Sequence, residues 1–205
     1  MSIHSFYGIM VKNNKKELII NAAIKVFAEK GFYTANVADV AKEAGVADGT
    51  IYLYFKNKDD LLISLFETKM EEILKRFSSL ITGNGNAEKK LHKFIHLYFQ
   101  MIEEDHNLAE VFQVELRQSS KFLKDYHNQN FIDFLNLIGD IIHQGQNDGL
   151  FKPTISIHTM KLIIFGALDE LARQWILTDN HHDDLKKTAD ETSNIFIRSI
   201  LVWIL

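Results

Sequence analysis

Pro153 is the only proline in 205 residues, and only ten glycines accompany it. Chains built from many short strands and tight turns draw heavily on both residue types, so their scarcity points to long helices. The apolar pattern agrees. Leu18, Ile19, Ala22, Ala23, Val26 and Phe27 recur at i, i+1, i+4, i+5, i+8 and i+9, which places them on one helical stripe. Lys30-Gly31 ends that helix, glycine supplying a left-handed C-terminal position. A short helix fits Val37 to Ala44, with Val37, Val40, Ala41 and Ala44 inward and Asn36 as its N-cap. Gly45 breaks it, a third short helix runs from Asp48 to Phe55, and a fourth opens near Lys58. Thr82-Gly83-Asn84-Gly85-Asn86 reads as a linker. Helices are expected beyond it at 87–104, 107–118, 120–145, 156–178 and 184–203. The expected fold is all-α with about nine helices. It divides into a flexible arm at 1–14, a helical head at 15–60 and a larger body at 61–205.

Several function classes are excluded at this point. With no cysteine there is no disulfide framework, thiolate metal site or thiol nucleophile. The uncharged apolar stretch Ser199–Leu205 is interrupted by no charge but is far too short to cross a bilayer. Met1–Val11 contains no Lys or Arg and lacks a signal-peptide pattern, so the chain is expected to be soluble and cytoplasmic without a membrane partner. There is no nucleophile elbow, Walker loop or dinucleotide glycine set, and Gly83–Asn86 follows a helix rather than a strand. No constellation suited to catalysis emerges, and the chain is not expected to be an enzyme. His92 and His96 share a helix face at i, i+4, and His181-His182-Asp183-Asp184 is compact. Neither lies in an H-E-x-x-H pattern, so both read as solvated surface groups, and neither a metal nor a cofactor is expected.

The head carries the functional signal. Its first 60 residues hold eight Lys against seven Asp and Glu, whereas the rest is acidic, and the whole chain has a net charge of -4. That asymmetry alone decides nothing. The arrangement of the short helices is more telling. Two helices joined by a tight glycine-containing turn form a helix-turn-helix, in which the second helix enters the major groove while the first crosses the backbone. Asp48-Gly49-Thr50-Ile51-Tyr52-Leu53-Tyr54-Phe55 places two tyrosines on a two-turn element. Ile51 and Phe55 can anchor it inward, leaving Thr50, Tyr52 and Tyr54 nearer the surface. Their hydroxyls suit phosphate oxygens, and the Thr50 methyl suits a thymine methyl. Lys56 and Lys58 follow, with Lys58 placed where the next helix begins and a phosphate is favoured.

From Gly31 to Leu61 these residues resemble the TetR-type transcriptional repressors. Ala41-Lys42-Glu43-Ala44-Gly45-Val46 and Gly49-Thr50-Ile51-Tyr52-Leu53-Tyr54-Phe55-Lys56-Asn57-Lys58 follow that family's signature at nearly every position. Ala35 and Asn36 stand where Thr or Ser is usual, and Ala47 replaces a frequent Ser. The resemblance implies a DNA-binding head whose contacts come from Asn36, Ala47, Asp48, Gly49, Thr50, Tyr52, Tyr54, Lys56 and Lys58.

The body resembles the fatty-acid-metabolism repressors of that family, through Leu62-Ile63-Ser64-Leu65-Phe66, Asp105-His106-Asn107-Leu108-Ala109, Glu115-Leu116-Arg117-Gln118-Ser119 and Ile164-Phe165-Gly166-Ala167-Leu168-Asp169-Glu170. The resemblance implies release from DNA by a long-chain acyl-CoA. Expected ligand residues are Phe99, Phe112, Leu116, Arg117, Phe134, Ile138, Phe165 and Asp169. Most aromatic side chains at helical spacing are ordinary core, yet an apolar tube between helices can accept an acyl chain. Arg117 is the first choice for the anionic end, although an ion pair with Glu110 or Glu115 serves it equally well. Relatives also imply a homodimer through the helices near 156–178 and 184–203, presenting two recognition helices to a palindromic operator. Two other readings stay open: a TetR-type sensor of a different hydrophobic drug or metabolite, and an all-helical enzyme or scaffold that does not bind DNA.

Overall fold

The computed structural model describes residues 3–83, 85–115, 129–178 and 184–202. Among these the chain is helical, in the order α1 (Ile3–Lys30), α2 (Val37–Glu43), α3 (Asp48–Ile51), α4 (Lys58–Ile81), α5 (Ala87–Glu104), α6 (His106–Glu110), α7 (Gln129–Asn147), α8 (Ile157–Leu177) and α9 (Leu185–Ile200). A π-helical turn, Val111–Glu115, continues α6. The only pairing outside helices among the described residues is an isolated antiparallel bridge between Phe151 and Leu201.

The ends of these helices follow from local chemistry. Gly31 and Gly45 close α1 and α2 with φ of 76° and 66°, a region that other residues enter at a cost. Side-chain oxygens of Asn86, Ser156 and Asp184 accept the first free N–H groups of α5, α8 and α9. The segment 1–14, expected to be an arm, instead begins α1 at Ile3. No proline interrupts it, and the lone Gly8 costs only about 1 kcal/mol relative to alanine, too little to stop a helix that is already propagating. In the other direction, α3 is shorter than the Asp48–Phe55 expected. After Ile51 the chain tightens into i→i+3 bonds, Leu53 N–H to Thr50 C=O and Tyr54 N–H to Ile51 C=O.

The chain forms two compact units. The first holds the described residues up to Thr68 and those of 107–115; the second holds Lys69–His106 and the described residues from Gln129 onward. The division falls inside α4, between Thr68 and Lys69. The buried Leu61, Leu62 and Leu65 of the first α4 turns lie in the first unit, whose interior also includes Ile19, Ala23, Phe27, Val40, Ala41, Ile51 and Phe55. The second unit is built on α5. Its buried Leu91, Phe94, Ile95, Tyr98 and Ile102 recur at helical spacing, and α9, α7 and α8 all pack against it. Gly145 is obligatory there: a Cβ at this position would lie 2.0 Å from the ring of the buried Phe151.

Candidate nucleic-acid interface and ligand-binding body

In the first unit α2 and α3 make the expected helix-turn-helix. Asn36 opens α2 with a full capping box: its Oδ1 accepts from Asp39 N–H at 2.8 Å, while its own N–H donates to Asp39 Oδ2 at 3.1 Å. Lys30 pairs with Asp39 and Lys25 with Glu43, both at 2.7 Å, tying α1 to α2. The hydrogen bond to Lys30, and then that from the Asn36 backbone, hold the Asp39 carboxyl below the usual carboxylate range; bonding to Glu43 raises Lys25. After Gly45, Val46 N–H donates to Ala41 C=O at 3.0 Å and leads into α3.

The short α3 element is anchored by Ile51 and Phe55, which are 1% and 2% exposed, as the i, i+4 spacing predicts. The opposite side faces outward. Ala47, Asp48, Gly49 and Lys56 are exposed, Tyr52 is 57% exposed, and Thr50 and Tyr54 are half-buried. Tyr33 and Leu53, which sequence reasoning left out, are also exposed, at 63% and 76%. A cap made by the Ala47 side chain is absent, as alanine requires. Gly49 has no positive φ, and a Cβ there would meet nothing within 4 Å. The fold itself does not demand glycine at this position.

Lys58 is placed differently from the expectation. Its Nζ donates to the carbonyls of Phe32 (2.6 Å), Ala35 (2.7 Å) and Tyr33 (3.2 Å), and it stands 4.7 Å above the Phe32 ring. An ammonium has three N–H donors, and all three are committed to the α1–α2 turn. Lys58 therefore braces the α1–α2 turn of the head. The start of α4 is capped instead by Asn57, whose Oδ1 accepts from Asp60 N–H at 2.8 Å, with Asp60 Oδ2 accepting from Lys56 N–H at 2.7 Å.

The expected ligand residues divide between the units. Phe112, in the π-helical turn of the first unit, meets Phe66 at 4.9 Å with the two rings tilted by 46°. Leu116 and Arg117 lie outside the described residues. In the second unit Phe134 and Ile138 are buried on α7 and Phe165 is half-buried on α8. Phe134 meets Phe77 at 4.9 Å, Phe94 at 5.3 Å and Phe165 at 6.3 Å, and Phe131 meets Phe165 at 5.3 Å. Phe77 and Phe94, which were not singled out as ligand residues, are thus as central to this cluster as Phe134. Phe99 is buried on α5 beside Tyr98, and Asp169 is half-buried on α8. Beside α7 and α8 an open groove of about 760 Å³ is lined by Leu74, Asp133, Asn136, Asp140, His143 and Lys161 among others.

The arginines of the second unit are largely committed. Arg76 grips Glu104 with two bonds of 2.6 and 3.1 Å, which raise the guanidinium and lower the carboxyl; Arg173 holds Glu170 at 2.6 and 2.9 Å. Glu170 thus finds its partner within its own helix. On α9, Leu185, Ala189, Thr192, Ser193, Ile197 and Ile200 are buried, which leaves Ile195, 66% exposed, as its main outward apolar group. The larger outward apolar surface is on α8, at Leu162, Ile163, Leu171 and Leu177. No helix among the described residues is long and apolar enough to cross a membrane.

Comparison with known proteins places this architecture. Residues 19–65 match the family described as bacterial regulatory proteins, tetR family, and residues 66–199 match the YsiA-like protein, C-terminal region. The fatty acid metabolism regulator protein of Bacillus subtilis strain 168 is 41% identical over 172 residues, covering 84% of this chain and 89% of that protein. The crystal structure of the transcriptional regulator FadR from B. subtilis in complex with stearoyl-CoA superposes with a TM-score of 0.83 at 39% identity, over 88% of this chain and 97% of that one. The fatty acid degradation regulator FadR from Bacillus halodurans gives 0.84 at 38% identity, over 89% and 94%. A helix-turn-helix with an outward α3, the family match over the body and these relatives agree: the chain belongs to the tetR family of bacterial regulatory proteins, as a transcriptional repressor and not an enzyme.

Proposed function

We propose that this repressor holds a palindromic operator as a cytoplasmic homodimer and releases it when a long-chain fatty acyl-CoA enters the body. The observation that carries the effector assignment is the likeness, at 39% identity over most of both chains, to a regulator crystallised with stearoyl-CoA. The second unit supplies suitable chemistry. Its connected rings Phe77, Phe94, Phe134 and Phe165 form an apolar, deformable interior bounded by α4, α5, α7 and α8. Parting an aromatic pair costs about 0.5–1.5 kcal/mol beyond its area. Burying about ten methylenes returns roughly 8 kcal/mol before ordering costs, so the acyl chain wins that exchange. DNA contact is assigned to Thr50, Tyr52, Tyr54 and Lys56 with the backbone at Gly49, and Asn36 with Ala47 and Asp48 at the edges of the same surface.

Among the described residues the chain passes between the units within the continuous helix α4 and again at the start of α6, between His106 and Asn107. Effector binding is proposed to favour a body conformation whose two heads no longer match successive major grooves. A 100-fold loss of operator affinity needs about 2.7 kcal/mol of coupling, well within the effector's binding energy. The test is titration of oleoyl-CoA and of unesterified oleate into the full-length protein bound to an operator selected from random duplexes. Release by oleoyl-CoA is expected at micromolar concentration. Retention of the complex at saturating oleoyl-CoA overturns the effector, and release by oleate alone reassigns it to the free acid.

A further inference from the structure

His92 and His96, one turn apart on α5, stack with ring centroids 4.1 Å apart and planes within 18°. Sequence spacing offers two imidazoles and no third partner. The fold adds one: Asp190 of α9 sets its Oδ1 3.1 Å from His96 Nε2 and 4.0 Å from His92 Nε2. One donor atom from each of the three side chains lies within 4.8 Å of the others. We infer that His92, His96 and Asp190 form a binding site for a borderline divalent metal ion of the zinc class, clamping α5 to α9.

Three observations carry this. Both Nε2 atoms converge on one carboxylate oxygen. Ligand atoms around a tetrahedral zinc, with bonds of about 2.0–2.2 Å, stand roughly 3.4 Å apart, so small side-chain rotations convert the present spacing into coordination. His96 Nε2 is buried and has no hydrogen-bond partner, although Asp190 Oδ1 stands 3.1 Å away. A buried, unsatisfied ring nitrogen aimed at a carboxylate is what a ligating atom looks like before its ion arrives. Finally, His92 and Asp190 remain exposed, which gives an ion access and leaves a fourth coordination position to water.

Two imidazoles and a carboxylate suit zinc, nickel, cobalt or copper, and provide too few oxygens for calcium or magnesium. The site joins the two helices most extensively packed on each other in the second unit, so metal binding reports as body stability. The experiment uses the full-length, chelator-treated protein. Zinc titrated against a chromophoric chelator is expected to bind one ion per chain, and cobalt to give the visible absorption of a four-coordinate site. His96→Ala, and separately the exposed-site variant His92→Gln, should each weaken zinc by at least about tenfold and abolish the zinc-dependent rise in Tm. Metal-free melts of both variants establish that they fold. Zinc affinity unchanged in both variants, or lost only on replacing His181 and His182, overturns the site, as does wild-type binding no tighter than that of the variants.

Discussion

Lys58 and Gly49 flank the proposed groove-facing surface and make opposite predictions. Lys58 satisfies three carbonyls of the α1–α2 turn, so Lys58→Met removes charge-assisted bonds worth about 1–3 kcal/mol in total and leaves partly buried acceptors without donors. Operator binding should fall together with the melting temperature of the head. Gly49→Ala should weaken operator binding by tenfold or more while leaving Tm unchanged or slightly raised, because a Cβ meets open space within the chain and alanine suits helix better. A gel shift beside a thermal melt separates the two; a destabilised Gly49→Ala or an undestabilised Lys58→Met contradicts the assignment. The outward placing of Gly49 and Tyr52 was legible in the sequence because the i, i+4 anchors Ile51 and Phe55 are local to the motif. The sequence could not reveal Lys58, since the carbonyls that hold it lie about two dozen residues earlier and only the folded turn brings them under the ammonium.

Among the described residues most helix ends were readable from period and caps, as α5, α8 and α9 illustrate, each starting beside an Asn, Ser or Asp that accepts from its first turn. On α9, Leu185, Ala189, Thr192 and Ile200 are buried within their own unit, while Ile195 stays outward. Amphipathicity says that a face is covered and not by what. The same holds for Gly145, which the sequence offers only as the end of a helix until Phe151 folds back across it with its N–H bonded to Gly145 C=O at 2.9 Å. Gly145→Ala would drive a methyl into that buried ring. The expected cost is about 1–3 kcal/mol of overpacking, a Tm lowered by roughly 4–10 °C, with the double variant Gly145→Ala/Phe151→Leu recovering part of the loss. An unchanged Tm in the single variant would mean that the α7–α8 connection yields freely.

At the scale of the whole molecule, one head contributes modest charge: Lys25 and Lys30 are paired with α2 acids and Lys58 is bonded to carbonyls of the α1–α2 turn, which leaves Lys15, Lys16, Lys42 and Lys56 exposed in the first unit. Few phosphates are neutralised per head, so a single half-site is expected to bind weakly and specific affinity to depend on joining two heads. That makes dimer formation a quantitative requirement for repression. The outward face of α8 is the surface suited to it. Leu162 and Ile163 stand about half exposed around the bare Gly166, where a second backbone can approach closely. A stable interface buries about 1,200–2,000 Å² in total and tolerates no unpaired charge at its centre. Ile163→Asp with Leu162→Asp should therefore convert the protein to a monomer by light scattering, with each monomer still folded and still retaining acyl-CoA. Operator affinity should fall by about a hundredfold or more, while affinity for an isolated half-site stays as it was. A dimer that survives both aspartates would move the interface off α8, and equal losses on the operator and the half-site would place the damage in the heads instead of in their joining.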